Sequence, residues 1–110
     1  MKARLPEGYG GGAGNMQSMM KQAQKMQEDM ARVQAKLDET TYEAKAGGGA
    51  VSAAVDGTYT VRALHIEREV IDPDDADMLA DLVTAAVNEA IRAAKAASET
   101  AMGAISGGML

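Results

Sequence analysis

Four cations, Lys21, Lys25, Arg32 and Lys36, recur at steps of 4, 7 and 4. On an α-helix these steps return to one narrow sector, so the charges line a stripe about 22 Å long. A row of point charges at that spacing suits one chemistry, the neutralisation of a run of phosphates. Like charges at 21/25 and 32/36 slightly destabilise the helix that carries them, which hints at an anionic partner. The same residues also read as an ordinary solvated face, interrupted by Glu28, with Glu28–Arg32 as an i,i+4 pair.

The remaining reactive residues form no constellation. His65 is the single histidine, and no motif supplies it with a Ser or Cys partner. The chain has no cysteine, hence no thiol nucleophile, no disulfide framework and no thiolate-bound metal. Gly47-Gly48-Gly49 lacks the Lys and the following helix of a phosphate-binding loop and reads as a turn. Asp72, Asp74, Asp75, Asp77 and Asp81 invite a cation-site reading. A calcium-binding loop starting at Asp72 would need Gly at its sixth place and Glu at its twelfth, where Asp77 and Val83 stand. These acids are better placed as the dipole-complementing first turns of a helix. No catalytic residue, metal site or cofactor site is expected.

The stripe needs a helix beneath it. Met16, Met19, Ala23, Met26, Met30, Val33 and Leu37 repeat at alternating steps of 3 and 4. That is a narrow apolar seam which seeks another helix. It predicts a helix from about residue 16 to 39, with Asn15 as N-cap. The seam also fixes which way the helix faces, and so turns the cationic stripe outward. Residues 1–15 read as a flexible glycine-rich arm. Val51, Ala53 and Val55 alternate as a strand does, Asp56-Gly57 is a tight-turn dipeptide, and Thr58–Ile66 reads as the next strand. Its alternation fails near Ala63-Leu64, where a bulge is expected. With an extended segment at Thr40–Tyr42, the middle forms a short antiparallel meander. Asp72-Pro73 then opens a last helix with a broad apolar face, including Leu79, Leu82, Val83, Ala86 and Ala90. Gly103 is expected to end or fray it, leaving residues 106–110 as a tail and 16–105 as a single domain.

Composition asks for a partner. There are 22 Ala against 17 Leu, Ile and Val together, and no Phe or Trp. So little bulk, under strong helical periodicity, suggests a core completed by a second subunit, most simply a homodimer. No apolar run is long enough for a membrane span, and the N-terminus lacks a signal-peptide pattern, so a cytoplasmic protein is expected. Net charge is −5 and the pI is about 4.7, which argues against a nucleic-acid surface over the whole molecule. The charge is uneven, however. Residues 1–45 hold seven cations and six anions, whereas residues 67–110 hold three cations and nine anions. Nucleic-acid binding would have to use a local patch.

MMKQAQKMQEDM (19–30), GGGAVSAAVDG (47–57) and IEREVIDPDDADMLADLVTAAVNEA (66–90) occur in this order. Together they resemble the YbaB/EbfC family of bacterial nucleoid-associated proteins over about residues 16–108. The strongest piece is DPDDADMLADLVTAAVNEA, and KQAQKMQ is the second. The resemblance implies an α+β fold with an α-β-β-β-α subunit and a tweezers-like homodimer. It implies non-enzymatic binding of double-stranded DNA with little sequence preference, in the nucleoid, with no small-molecule substrate and no membrane. On charge, the DNA contacts are expected at Lys21, Lys25, Arg32 and Lys36 of the first helix and at Arg92 and Lys95 of the last. The rival expectation is a protein-interaction adaptor dimer whose DNA binding is incidental.

Overall fold

Glycines divide the middle of the chain into three strands. In the computed structural model, which describes residues 7–108, β1 (Thr41–Ala46), β2 (Val51–Asp56) and β3 (Val61–Ile66) form one antiparallel sheet in the order β1-β2-β3. Helix α1 (Glu7–Glu39) precedes the sheet and α2 (Ala76–Gly108) follows it. The α-β-β-β-α order expected from the sequence is the order observed. Gly47, Gly48 and Gly49 turn β1 into β2 with φ of +62°, +68° and +98°. L-residues adopt such left-handed values at a cost of about 1–2 kcal/mol each, so this connection depends on glycine.

β2 is the central, most buried strand. Val51, Ala53 and Val55 share one face and meet Ala86, Ala90 and Ala94 of α2. Small side chains on both elements let helix and sheet lie close. α2 covers β1 and β2 and barely reaches β3. Val61 and Leu64 of β3 lie opposite Val55 and Ala53, on the core-facing side, yet are 46 % and 45 % exposed.

The β2–β3 register holds a bulge. Ala54 pairs with Ala63, but Val55 pairs with Val61, so Arg62 is the extra residue. This is just before the Ala63-Leu64 position expected from the failed alternation. The bulge has a clear effect. In a regular register Arg62 would face Val55 and the core; the extra residue restores Val61 there and sends Arg62 elsewhere. The strand also starts later than expected, at Val61, because Thr58 and Thr60 are drawn into the turn.

Each helix has 33 residues and is therefore about 50 Å long, yet the molecule extends 88 Å. The helices overlap over only part of their length. Met26, Asp29, Val33 and Leu37 of α1 are half-buried, as are Ala97, Ala101, Met102 and Ile105 of α2. The two C-terminal halves thus pack together, antiparallel, and the N-terminal half of α1 projects past the end of α2. From Met26 to Leu37 the apolar seam is half-buried within the chain at Met26, Val33 and Leu37, while Met30 stays 39 % exposed. The seam is bare at Met16 and Met19, and the neighbouring Met20 is likewise exposed.

Three helix limits differ from expectation: α2 starts at Ala76, because Asp72 caps a separate 3₁₀ turn, Pro73–Asp75, and the start of α1 and the end of α2 also differ. α1 begins at Glu7, so Asn15 lies inside the helix instead of capping it. Propagation onto a helix nucleated at residues 16–39 avoids a new nucleation step, but it returns less than the glycine penalty of about 1 kcal/mol per residue, so local propensity does not explain this extension. Residues 1–6 of the expected arm and 109–110 of the expected tail lie outside the described residues. α2 passes through Gly103 to Gly108, carried by the half-buried Ala101, Met102 and Ile105 beside it.

Gly57 sits against the end of α1. A Cβ there would stand 2.1 Å from the Leu37 carbonyl oxygen and 2.8 Å from the Asp38 nitrogen, both backbone. Gly57→Ala is expected to lower stability by roughly 2 kcal/mol or more, read as the urea midpoint. An unchanged midpoint would contradict this docking of turn on helix.

Candidate nucleic-acid interface

Lys21, Lys25, Arg32 and Lys36 are all exposed, as the seam requires. Met26, Val33 and Leu37 are held toward α2, and the cations project from another side of α1. Lys21 and Lys25 lie on the projecting half of α1, and Lys36 lies at the end that meets the sheet. Arg32 donates to Asp29 Oδ1 at 2.5 Å, not to Glu28 as the i,i+4 spacing suggested. Arg92 pairs likewise with Glu89, one turn earlier on α2. Such exposed pairs are worth about 0–1 kcal/mol, so either guanidinium can exchange its carboxylate for a phosphate. Among the described residues, Lys21, Lys25, Lys36 and Lys95 make no ion pair.

The β2–β3 turn brings the two cationic regions toward each other. Gly57 lies on the Leu37 backbone, next to Lys36, and Lys95 Nζ of α2 stands 5.8 Å from the centre of the Tyr59 ring. Lys36 and Lys95 therefore flank one turn, whereas Lys21 and Lys25 belong to the free part of α1. The six expected contacts form an extended track and not a single patch.

Asp56 holds this turn. It is 2 % exposed, and its carboxylate is fully engaged. Oδ1 accepts from the Thr58 hydroxyl at 2.6 Å, the Thr58 amide at 2.9 Å and the Thr60 amide at 3.1 Å. Oδ2 accepts from Arg62 Nε at 2.7 Å. The Thr58 hydroxyl bond, joined by the amide and Arg62 bonds, holds the Asp56 carboxyl well below the usual carboxylate range, although burial pushes the other way. The bulge is what delivers Arg62 to this carboxylate. Sequence reasoning missed Arg62 and Tyr59. The usable signal was Asp56 followed by Thr58 and Thr60, since Asp bonds its own backbone two residues on.

The other acids behave as helix-start residues. Asp72 accepts from the Asp74 amide at 2.9 Å, and Asp75 Oδ1 accepts from the Met78 amide at 3.2 Å. His65 lies exposed on β3. Among the described residues no group of three or more His, Asp or Glu side chains is arranged to hold a metal ion, and no helix is long and apolar enough to cross a membrane.

A family model described as the YbaB/EbfC DNA-binding family matches residues 12–109. A nucleoid-associated protein of Alkaliphilus metalliredigens is 52% identical over 99 residues, covering 90% of this chain and 87% of that protein. One from Acetivibrio thermocellus is 49% identical, covering 93% and 90%. A crystal structure of an uncharacterized Helicobacter pylori protein superposes with a TM-score of 0.62 at 20% identity, covering 74% of this chain and 86% of that one. At that identity the likeness is one of fold.

The Asp56 cluster predicts a pH dependence. A carboxyl with a lowered folded pKa stabilises the fold above its unfolded pKa of about 3.9, and that stabilisation is lost as pH falls toward the folded value. Asp56→Asn should therefore be less stable than wild type at pH 7, with the gap narrowing from about pH 5 downward. A gap that stays constant down to pH 2 in thermal melts would show that the charge is not what matters.

Proposed function

Because the chain belongs to the YbaB/EbfC DNA-binding family, we propose that it binds double-stranded DNA with little sequence preference, as a homodimer, through the cationic faces of α1 and α2. The observation that carries this reading is the outward stripe Lys21–Lys25–Arg32–Lys36, exposed along its whole length. Its span of about 22 Å matches about six phosphates of one DNA strand. Three of the four are lysines, which act as point charges and position without reading base edges. Arg92 and Lys95 extend the contact on α2. Acidic sectors elsewhere keep the rest of the molecule off the duplex. This is binding and not catalysis, and Asp56, the one strongly shifted ionisable group among the described residues, is consumed by the turn. The site of action is the nucleoid, within the cytoplasm.

The dimer is supported by what the single chain leaves bare. β3 is an edge strand with Val61 and Leu64 exposed, and unprotected apolar edges are templates for pairing. A second copy adding its β3 alongside would make one six-stranded sheet about a twofold axis and cover these side chains. It would also place two cationic stripes on one particle.

Two measurements test the reading. In fluorescence anisotropy from 50 to 300 mM salt, duplex affinity should fall steeply. The Lys21/Lys25/Arg32/Lys36→Ala variant should bind more weakly, its log–log salt slope reduced by about 3 or more. Absence of binding at low salt, or unchanged binding in the variant, sinks the stripe. Separately, light scattering of the wild type should give twice 11.4 kDa, falling toward the single-chain mass in Val61→Asp/Leu64→Asp. A wild-type mass of 11.4 kDa would remove the dimer.

A further inference from the structure

The β2–β3 turn carries an aromatic residue in a place where chains prefer glycine. The Tyr59 amide donates to the Asp56 carbonyl at 2.9 Å, and the Asp56 amide to the Thr60 carbonyl at 3.0 Å. Between these bonds Tyr59 takes φ +65°, the one positive-φ non-glycine residue among the described residues. A turn followed by one left-handed residue is a common hairpin connection, and its left-handed position favours Gly or Asn. Burial of the ring does not compensate. Tyr59 is 45 % exposed and lies outside the cluster around Val51 and Val55. Strain kept at an exposed aromatic points to use of the ring.

Its surroundings say what the use is. Lys95 Nζ, 5.8 Å from the ring centre, is in cation–π range. Arg62, three residues on, is tied to Asp56 through Nε alone, and its side chain remains 64% exposed. The four bonds to the Asp56 carboxylate make the turn rigid. A rigid exposed ring beside one cation, on a turn whose Asp56 carboxylate holds a second, is the combination that stacks on a free nucleobase while holding the neighbouring phosphates. Inside an intact duplex the ring would first have to unstack a base pair. At an unpaired base that cost is mostly absent.

We propose that Tyr59, Lys95 and Arg62 form a site for an unpaired nucleobase in otherwise duplex DNA. The base stacks on the exposed part of the Tyr59 ring, and Lys95 and Arg62 take the flanking phosphates. This rests on the DNA-binding reading and adds a structural preference to it: bulged or mispaired duplex over perfect duplex.

The test compares two duplexes of equal length, one perfect and one with two unpaired thymines, by anisotropy at fixed salt. Wild type is expected to favour the bulged duplex by roughly fivefold or more, and Tyr59→Phe to keep that preference. Tyr59→Leu and Tyr59→Gly are expected to lose the preference while binding perfect duplex as wild type does. Tyr59→Gly should also show an unchanged or higher thermal midpoint, because glycine accepts the left-handed turn without strain. Equal wild-type affinity for the two duplexes, or a preference that survives in Tyr59→Leu, overturns the site and leaves the stripe standing. A Tyr59→Gly chain that melts earlier marks the ring as structural and overturns it too. Binding to neither duplex overturns both.

Discussion

The contact of Ala86, Ala90 and Ala94 with Val51, Ala53 and Val55 is the constraint on which the rest of the molecule depends. Alanine on valine allows a close approach of helix and sheet, but it makes a thin core. One helix laid this closely covers two strands and not three. β3 is left with Val61 and Leu64 on the core-facing side and nothing above them. The same helix, continuing past the sheet, receives Met26, Val33 and Leu37 of α1. That contact orients α1, turns Lys21–Lys36 to solvent and leaves Met16–Met20 without cover. An incomplete core and an outward cationic stripe are thus two consequences of one packing choice.

The turn after β2 is the second organising device. Asp56 is buried with its charge, which is tolerable only because four donors reach it. One of them, Arg62, is available because the bulge takes it off the core face. The turn then rests on the end of α1 through Gly57, where no side chain fits, and presents Tyr59 under Lys95. Sheet, α1 and α2 meet at this point, so the geometry of the cationic surface is tied to a single carboxylate.

Much of this was legible from residue order. The glycine turn and the alternation of Val51, Ala53 and Val55 each carry a local physical rule and appear in the structure. The seam is covered only in its C-terminal half, and Asp72-Pro73 opens a 3₁₀ turn, Pro73–Asp75, that leads into α2 at Ala76. The exposure of the stripe followed from the seam. What was missed involves competition between rules. Thr58 and Thr60 have high strand propensity, but the Asp56 carboxylate outbids the ladder for them. Gly103 looks like a helix stop, but the half-buried Ala101, Met102 and Ile105 carry α2 through it. Arg32 had two acids within reach, and only side-chain geometry selects Asp29. Tyr59 gave no signal, since its importance lies in a backbone angle set by the turn around it.

In the proposed complex DNA is held by two copies of the chain, each offering the stripe that its own α2 orients. The mass of the complex on one short duplex, measured by light scattering with the protein in modest excess at low salt, tests this most directly. The expected mass is that of the duplex plus two chains of 11.4 kDa, with no species carrying one. A stable complex of one chain per duplex would contradict it.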